Sequence, residues 1–232
     1  MTVIVRDLQG GGQPPLTHFF DSLQGADRPF VMGDNWFTQE CLATNLPWSD
    51  VQAQINIGAN GLIYGSGSGI NDLTMAINAF PSLVNRAAVV KGSLGTGIFA
   101  ELQLDSVPNV GIGAGIGPSV LQNPGSDVCY LIQWESVNTN TSLSRRNTNG
   151  TYTSIRGNCF TRALGDVVRL EAKYVGGFPQ LKVYQNGVLK STDIDNSGLG
   201  PANGGQYGIT FSGVQTGQIV VKNFNGGIGA LT

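Results

Sequence analysis

The sequence has few charged side chains, few aromatic side chains and a single histidine, His18. Charged residues make up 12% of the 232 residues, aromatic residues 8%, and the formal net charge is −2. A nucleic-acid-binding domain carries a basic stripe, so this charge argues against that class of partner. Low charge combined with 41% hydrophobic residues also argues against disorder, which needs high charge and low hydrophobicity.

Motifs for several other functions are missing as well. The three cysteines, Cys41, Cys129 and Cys159, show no Cys-x-x-Cys spacing, which argues against a disulfide framework and a zinc site. No apolar run approaches the roughly 20 residues that span a bilayer, and no basic segment followed by an apolar run opens the chain. We therefore expect no metal, no cofactor, no membrane partner and no signal peptide, with synthesis in the cytoplasm.

Glycine is abundant instead, with 34 residues, and it separates short segments in which apolar and polar residues alternate. In one such segment Val168, Leu170 and Ala172 alternate with Arg169 and Glu171. Strict alternation is typical of a half-buried antiparallel strand. About twelve strands of this kind, joined by tight turns, predict an all-β fold: a two-sheet antiparallel β-sandwich.

Asn186-Gly187 is the strongest local signal in the chain. It lies between two alternating segments, Gln180–Gln185 and Val188–Thr192. Both central residues of a two-residue type I′ turn need positive φ, and Asn-Gly tolerates this best. The sequence therefore predicts a β-hairpin with its turn at these two residues.

One segment, Asn71–Asn85, departs from alternation. Leu73, Ala76, Ile77 and Phe80 recur at helical spacing, and Pro81 would end a helix. The spacing predicts a short helix here.

Three segments of the C-terminal half resemble a known family. They are Gly165-Asp166-x-x-Arg-Leu-Glu171, Leu181-x-Val-Tyr-x-Asn-Gly-Val-Leu189 and Val221-Lys-Asn-Phe224. This order resembles concanavalin A-like (laminin-G-like) jelly-roll domains, most clearly over Phe99–Phe224. The resemblance implies a jelly roll, and single-domain versions are frequent among bacteriophage virion proteins. The same sandwich also carries lectins, glucanases, lyases and structural modules, so it does not fix the function.

Residues for catalysis are not apparent from their spacing. The resemblance implies that a related glucanase would carry Glu-x-Asp-x-x-Glu on one strand, and no such run occurs. Glu101 and Asp105 share a strand face but lie roughly 13 Å apart by strand rise, against the 5–5.5 Å of a retaining glycosidase. We therefore expect no catalytic residues and no enzyme. Asp193 and Asp195 could ligate calcium, but a turn uses the same residues, and we expect the turn.

Two functions remain open, both for a single jelly-roll domain over residues 16–232. The resemblance favours a non-enzymatic structural or decoration protein of a bacteriophage capsid or tail, located in the virion and binding other virion proteins or itself as a homo-oligomer. The alternative is a carbohydrate-binding module that adheres to glycans. Trp36, Trp134 and Tyr152 are then its candidate glycan contacts.

Residues 1–15 form an N-terminal arm and linker in this interpretation. Val3, Ile4, Val5 and Leu8 are apolar, and Gly-Gly-Gly and Pro-Pro separate them from the domain. The arm could close an edge of its own sandwich or pair with a neighbouring subunit's open edge. The second possibility makes these four residues an assembly site.

Deleting residues 1–13 tests the assembly role. Ordering an arm costs about 1–2 kcal/mol of backbone entropy per residue, which contacts with a partner would have to offset. We expect an unchanged thermal midpoint and a loss of self-association or particle binding by sedimentation. Unfolding of the truncated protein would instead make the segment an integral strand.

Overall fold

The computed structural model describes most of the C-terminal half and shorter parts of the rest. The described residues are 18–24, 28–29, 36–39, 55–58, 61–64, 73–77, 97–106, 115–122, 128–135, 140–148, 151–200, 206–212 and 219–228. The candidate arm residues Val3, Ile4, Val5 and Leu8 lie outside them. No helix in the described part of the chain is long and apolar enough for a membrane span.

Regular structure in these residues is entirely β. The strands are β1 His18–Asp21, β2 Arg28–Pro29, β3 Trp36–Gln39, β4 Ile55–Gly58, β5 Gly61–Tyr64, β6 Leu73–Ile77, β7 Ile98–Ser106, β8 Gly115–Gln122, β9 Cys129–Glu135, β10 Thr141–Arg146, β11 Tyr152–Arg156, β12 Val167–Val175, β13 Phe178–Gln185, β14 Val188–Ile194, β15 Gln206–Ser212 and β16 Ile219–Ile228.

The strands form two antiparallel sheets, which confirms the predicted jelly-roll sandwich. The nine-stranded sheet runs β14-β13-β12-β7-β16-β5-β4-β2, and β1 pairs with β16 as well. The seven-stranded sheet runs β11-β10-β9-β8-β15-β6-β3. Sixteen strands are described, more than the sequence suggested, because several are only two to five residues long.

The core lies between the sheets and follows the alternation read from the sequence. Ala100, Leu102 and Leu104 of β7 pack with Val168 and Leu170 of β12, and all five are fully buried. The seven-stranded sheet contributes a second set, Val120, Leu121, Tyr130, Ile132, Leu143, Tyr207 and Ile209. Truncating such a leucine to alanine typically costs about 2–5 kcal/mol, so these contacts hold the two sheets together.

A glycine allows two strands of the seven-stranded sheet to approach closely. A Cβ atom on Gly117 of β8 would overlap the carbonyl oxygen of Ile132 on β9. The approach depends on the missing side chain at Gly117.

The hairpin predicted at Asn186-Gly187 is present. Asn186 has φ of 51° and Gly187 has φ of 77°, as a type I′ turn requires. The buried carboxylate of Asp166 holds the turn: its Oδ1 accepts a bond from Asn186 Nδ2 (2.8 Å) and its Oδ2 one from Gln185 Nε2 (2.7 Å). The Gly-Asp pair before β12 therefore anchors the β13–β14 turn.

The predicted helix within Asn71–Asn85 is wrong. Leu73–Ile77 is strand β6, paired with β15 on one side and β3 on the other. An isolated helix of two to three turns is marginal in water. Two neighbouring strands offer the backbone a full set of partners, and this tertiary context overrides the helical spacing of four side chains.

A buried ion pair joins the two sheets at one side of the sandwich. Asp195, just after β14, accepts a hydrogen bond from Tyr130 of β9 (2.7 Å) and pairs with Arg145 of β10. Both charged side chains are 4% exposed. Burial raises the pKa of Asp195, but hydrogen bonds from Tyr130, Ser197 and Arg145 outweigh it and lower the pKa below the ordinary 3.8. Burial and Asp195 together raise the pKa of Tyr130, which stays a donor.

Replacing Gly187 by Val should lower the thermal midpoint, because a β-branched residue resists positive φ at a cost of about 1–2 kcal/mol. Gly157→Val is the matched control: a Cβ meets no atom within 4 Å at either position, and only Gly187 has positive φ. Equal midpoints for the two variants would contradict the turn.

Asp195→Asn should destabilise the fold by about 3–5 kcal/mol, because it leaves Arg145 buried without its countercharge. Since the pKa of Asp195 is lowered on folding, its contribution is full above the unfolded pKa and is lost as pH falls through the folded one. Denaturant titrations across pH 2–7 should show a weaker acid dependence in the variant. Asp193→Asn, whose partner Arg156 is 48% exposed, is the control; an equal loss in both variants would speak against the buried pair.

Candidate functional site

The two sheets differ in what their outer faces offer to a ligand. On the seven-stranded sheet, many of the residues that alternate with the core side chains are themselves buried. Six of them are at most 3% exposed: Ser119, Cys129, Leu131, Ser144, Arg146 and Thr210. Burial lowers the pKa of Arg146, which donates a hydrogen bond to Tyr152. Gln133, Ser142 and Tyr152 on the same face are partly exposed, so this face is only partly closed to a large ligand.

The outer face of the nine-stranded sheet is polar and partly open. Pairing register places one residue from each of six neighbouring strands side by side. We call this set the cross-strand row: Phe20, Asn225, Glu101, Arg169, Tyr184 and Leu189. Directly opposite residues in a sheet share a face, and the core residues lie on the other one. The row therefore projects away from the core.

The register that builds the row is fixed by β7, the strand at its centre. Glu101 lies opposite Arg169 of β12 on one side and Asn225 of β16 on the other. Asn225 Nδ2 lies 3.5 Å from Glu101 Oε1, and Asn225 Oδ1 is buried with no hydrogen-bond partner among the described residues. A buried acceptor of this kind is uncommon in folded proteins.

A β-bulge at Asn223 adds polar groups beside the row. Asn223 has φ of 54°, and the β16–β7 register shifts between Lys222 and Asn225. As a result both Lys222 and Asn223 reach outward: Asn223 Nδ2 donates to Gln103 Oε1 (2.7 Å), and Lys222 pairs with Asp105. The bulge thus presents an amide and an ion pair on one face.

Two other members of the row, Arg169 and Tyr184, contact Glu171, which lies beside the row. The Arg169 guanidinium lies 4.4 Å from the ring centroid of Tyr184, and Arg169 Nε lies 3.2 Å from Glu171 Oε1. The Tyr184 hydroxyl donates to Glu171 Oε2 (3.1 Å). Burial and the nearby Glu171 carboxylate raise the pKa of Tyr184. These contacts restrain the three side chains, although Arg169 Nε and Glu171 Oε1 make no hydrogen bond among the described residues.

Both ends of the row are apolar and exposed. Phe20 on β1 is 36% exposed and Leu189 on β14 is 49% exposed. Aromatic and aliphatic side chains offer the apolar faces of a sugar a surface, while amides, carboxylates and guanidinium groups exchange hydrogen bonds with its hydroxyls. The row therefore combines the two kinds of contact that an oligosaccharide uses.

The aromatic contacts predicted from the sequence lie elsewhere. Trp36 is on β3 and Tyr152 on β11, at opposite ends of the seven-stranded sheet, six strand spacings or about 29 Å apart. Tyr152 is in register with Arg146 and Cys129 on the two neighbouring strands. Trp134 is on β9 as well, but five residues further along the strand than Cys129. The three residues do not converge on one patch and remain separate candidate contacts.

The aspartates considered for calcium have protein partners. Asp193 binds Arg156 through both carboxylate oxygens (2.8 and 3.0 Å from Nε), and Asp195 is held by Tyr130 and Arg145. No group of three or more His, Cys, Asp or Glu side chains suited to a metal occurs among the described residues.

Sequence reasoning missed the row because its members come from distant segments. Glu101 was considered only with Asp105 on the same strand. In the structure Glu171 lies diagonally across the β7–β12 pair from Glu101, and diagonal neighbours have Cβ atoms about 7–8 Å apart. Within-strand spacing was therefore an incomplete search for carboxylate pairs.

Comparison with known proteins supports the fold. No protein-family model and no curated protein sequence matches the chain. Among solved structures, it is similar to carbohydrate-binding module CBM66 from Bacillus subtilis (TM-score 0.52, 14% identity, covering 82% of this chain and 94% of that one). It is also similar to an endo-1,3-β-glucanase from Streptomyces sioyaensis (0.54, 14%, 94% and 99%) and to a native glycosidic hydrolase (0.54, 13%, 90% and 95%).

These neighbours correct the functional expectations. Two of the three structures are enzymes. This contradicts the expectation that the chain is not an enzyme. That expectation rested only on motif spacing along single strands. They give no support to the virion interpretation. At these identities the likeness establishes the jelly-roll fold, and function must be argued from the site.

Proposed function

We propose that this protein binds polysaccharide through the outer face of the nine-stranded sheet. The observation that carries the proposal is the cross-strand row, in which Phe20, Asn225, Glu101, Arg169, Tyr184 and Leu189 lie side by side on six strands. The sheet aligns them across six strands, with apolar ends and a hydrogen-bonding centre.

The partly closed outer face of the seven-stranded sheet favours this choice. A polysaccharide needs a surface that is already accessible along its length. Six outward residues of that sheet are at most 3% exposed, whereas the row is half-buried in its centre and exposed at both ends. Among the described residues, the row meets the requirement along its length.

The neighbouring structures indicate which polysaccharide to try first. One is a carbohydrate-binding module and one an endo-1,3-β-glucanase. Soluble β-1,3-glucan is therefore the first probe, followed by a panel of neutral plant, fungal and bacterial polysaccharides.

Calorimetric titration and affinity electrophoresis with this panel test the proposal. We expect Phe20→Ala to weaken binding roughly tenfold. Glu101→Gln removes one charge-assisted acceptor and should weaken binding roughly two- to tenfold. Leu164→Ala is the control, because Leu164 is 64% exposed and precedes β12, away from the row.

Failure of every polysaccharide to bind would overturn the proposal. So would binding that all three variants retain equally, because the ligand would then lie elsewhere. Release of reducing ends should be followed in the same samples, since enzymes share this fold; release that Glu101→Gln abolishes would add cleavage to binding at the same face.

A further inference from the structure

The length of the row sets the size of ligand it fits. The six strands β14, β13, β12, β7, β16 and β1 are consecutive neighbours. Five spacings of about 4.8 Å separate Leu189 on the first from Phe20 on the last, roughly 24 Å in all. A single sugar ring would reach only part of this line, and both apolar ends together require a longer ligand.

The distribution of exposure along the row points to contact at both ends. Leu189 is 49% exposed and Phe20 36% exposed, while the polar residues between them are only partly exposed. An exposed apolar side chain at each end of a polar strip is suited to a chain molecule that crosses the strands. A ligand running parallel to the strands would meet one end at most.

Two cations in or beside the row are already paired with carboxylates. Arg169 pairs with Glu171, and Lys222 pairs with Asp105. The Asn225 side-chain amide lies 3.5 Å from the Glu101 carboxylate. A polyanionic glycan would have to compete with these carboxylates for the cations, and it would meet Glu101 at the centre of the row. An uncharged glycan meets neither cost, because its hydroxyls can both donate and accept.

We infer that the site takes an extended, uncharged glycan chain lying across the strands from Phe20 to Leu189, and not a single sugar or an acidic polysaccharide. This rests on the proposed function and deepens it: the row is a multi-sugar groove with a far end on the edge strand β14. Leu189 is then a specificity-determining residue that acts only on ligands long enough to reach it.

A length series tests the inference. Glucose, β-1,3-linked gluco-oligosaccharides of increasing length and intact β-1,3-glucan are titrated into the wild-type protein. We expect affinity to rise with length and then level off once both ends are filled. Leu189→Ala should weaken binding of the longest ligands about three- to tenfold and leave the short ones unchanged. Phe20→Ala should weaken both classes.

Val188→Ala is the matched control. Val188 is the neighbour of Leu189 on the same strand and is 58% exposed, but it lies opposite Gln185, whereas Leu189 lies opposite Tyr184. Its removal takes away a similar apolar surface from outside the row. We expect its affinities to match the wild type at every length.

The possible results separate the inference from the proposed function. Loss of affinity in Phe20→Ala with none in Leu189→Ala at any length would keep glycan binding here and overturn the extended-chain inference. Glucose that competes as well as the long oligosaccharides, or a polyuronate that binds more tightly than the neutral glucan, would also overturn it. If no glycan of the series or of the wider panel binds, the proposed function itself fails.

Discussion

The pairing of β7 with β12 on one side and β16 on the other is the constraint on which the rest of the structure depends. It places Ala100, Leu102 and Leu104 in the core with no exposed surface, and it places Glu101 and Gln103 between them on the outer face. Because side-chain direction alternates, a slip of one residue would bury the carboxylate and expose the leucines. Burying an unpaired charge costs several kcal/mol. The forces that select the core therefore also select the polar face.

Local features of this arrangement could be predicted from the sequence. Alternation assigned the inward and outward residues of β7 and β12 correctly, because every second residue of a strand lies on the same face. Asn186-Gly187 identified its turn, since few residue pairs tolerate positive φ twice. Each of these depends on a few consecutive residues and their backbone preferences, which any single sequence reveals.

The cross-strand row could not be predicted, because it depends on which strands become neighbours and in which register. Glu101 and Asn225 are 124 residues apart, and no spacing rule connects them. The same limit explains the wrong helix at β6, where pairing with β3 and β15 overrides helical spacing. It also explains why Trp36 and Tyr152, read together as aromatics, lie at opposite ends of a sheet. Long-range pairing is decided by the burial of the whole sandwich and leaves little trace in any one segment.

The fixed side chains of the outer face connect its stability to its proposed function. Arg169, Glu171 and Tyr184 hold one another in place, and Asn223 is held by Gln103. Ordering long polar side chains at binding costs about 0.5–1.5 kcal/mol each, and here folding has already met that cost. A flexible polysaccharide must itself be ordered when it binds, so a rigid protein surface keeps the total entropy loss smaller. The same polar pairs thus order the outer face for the neutral chain that we propose.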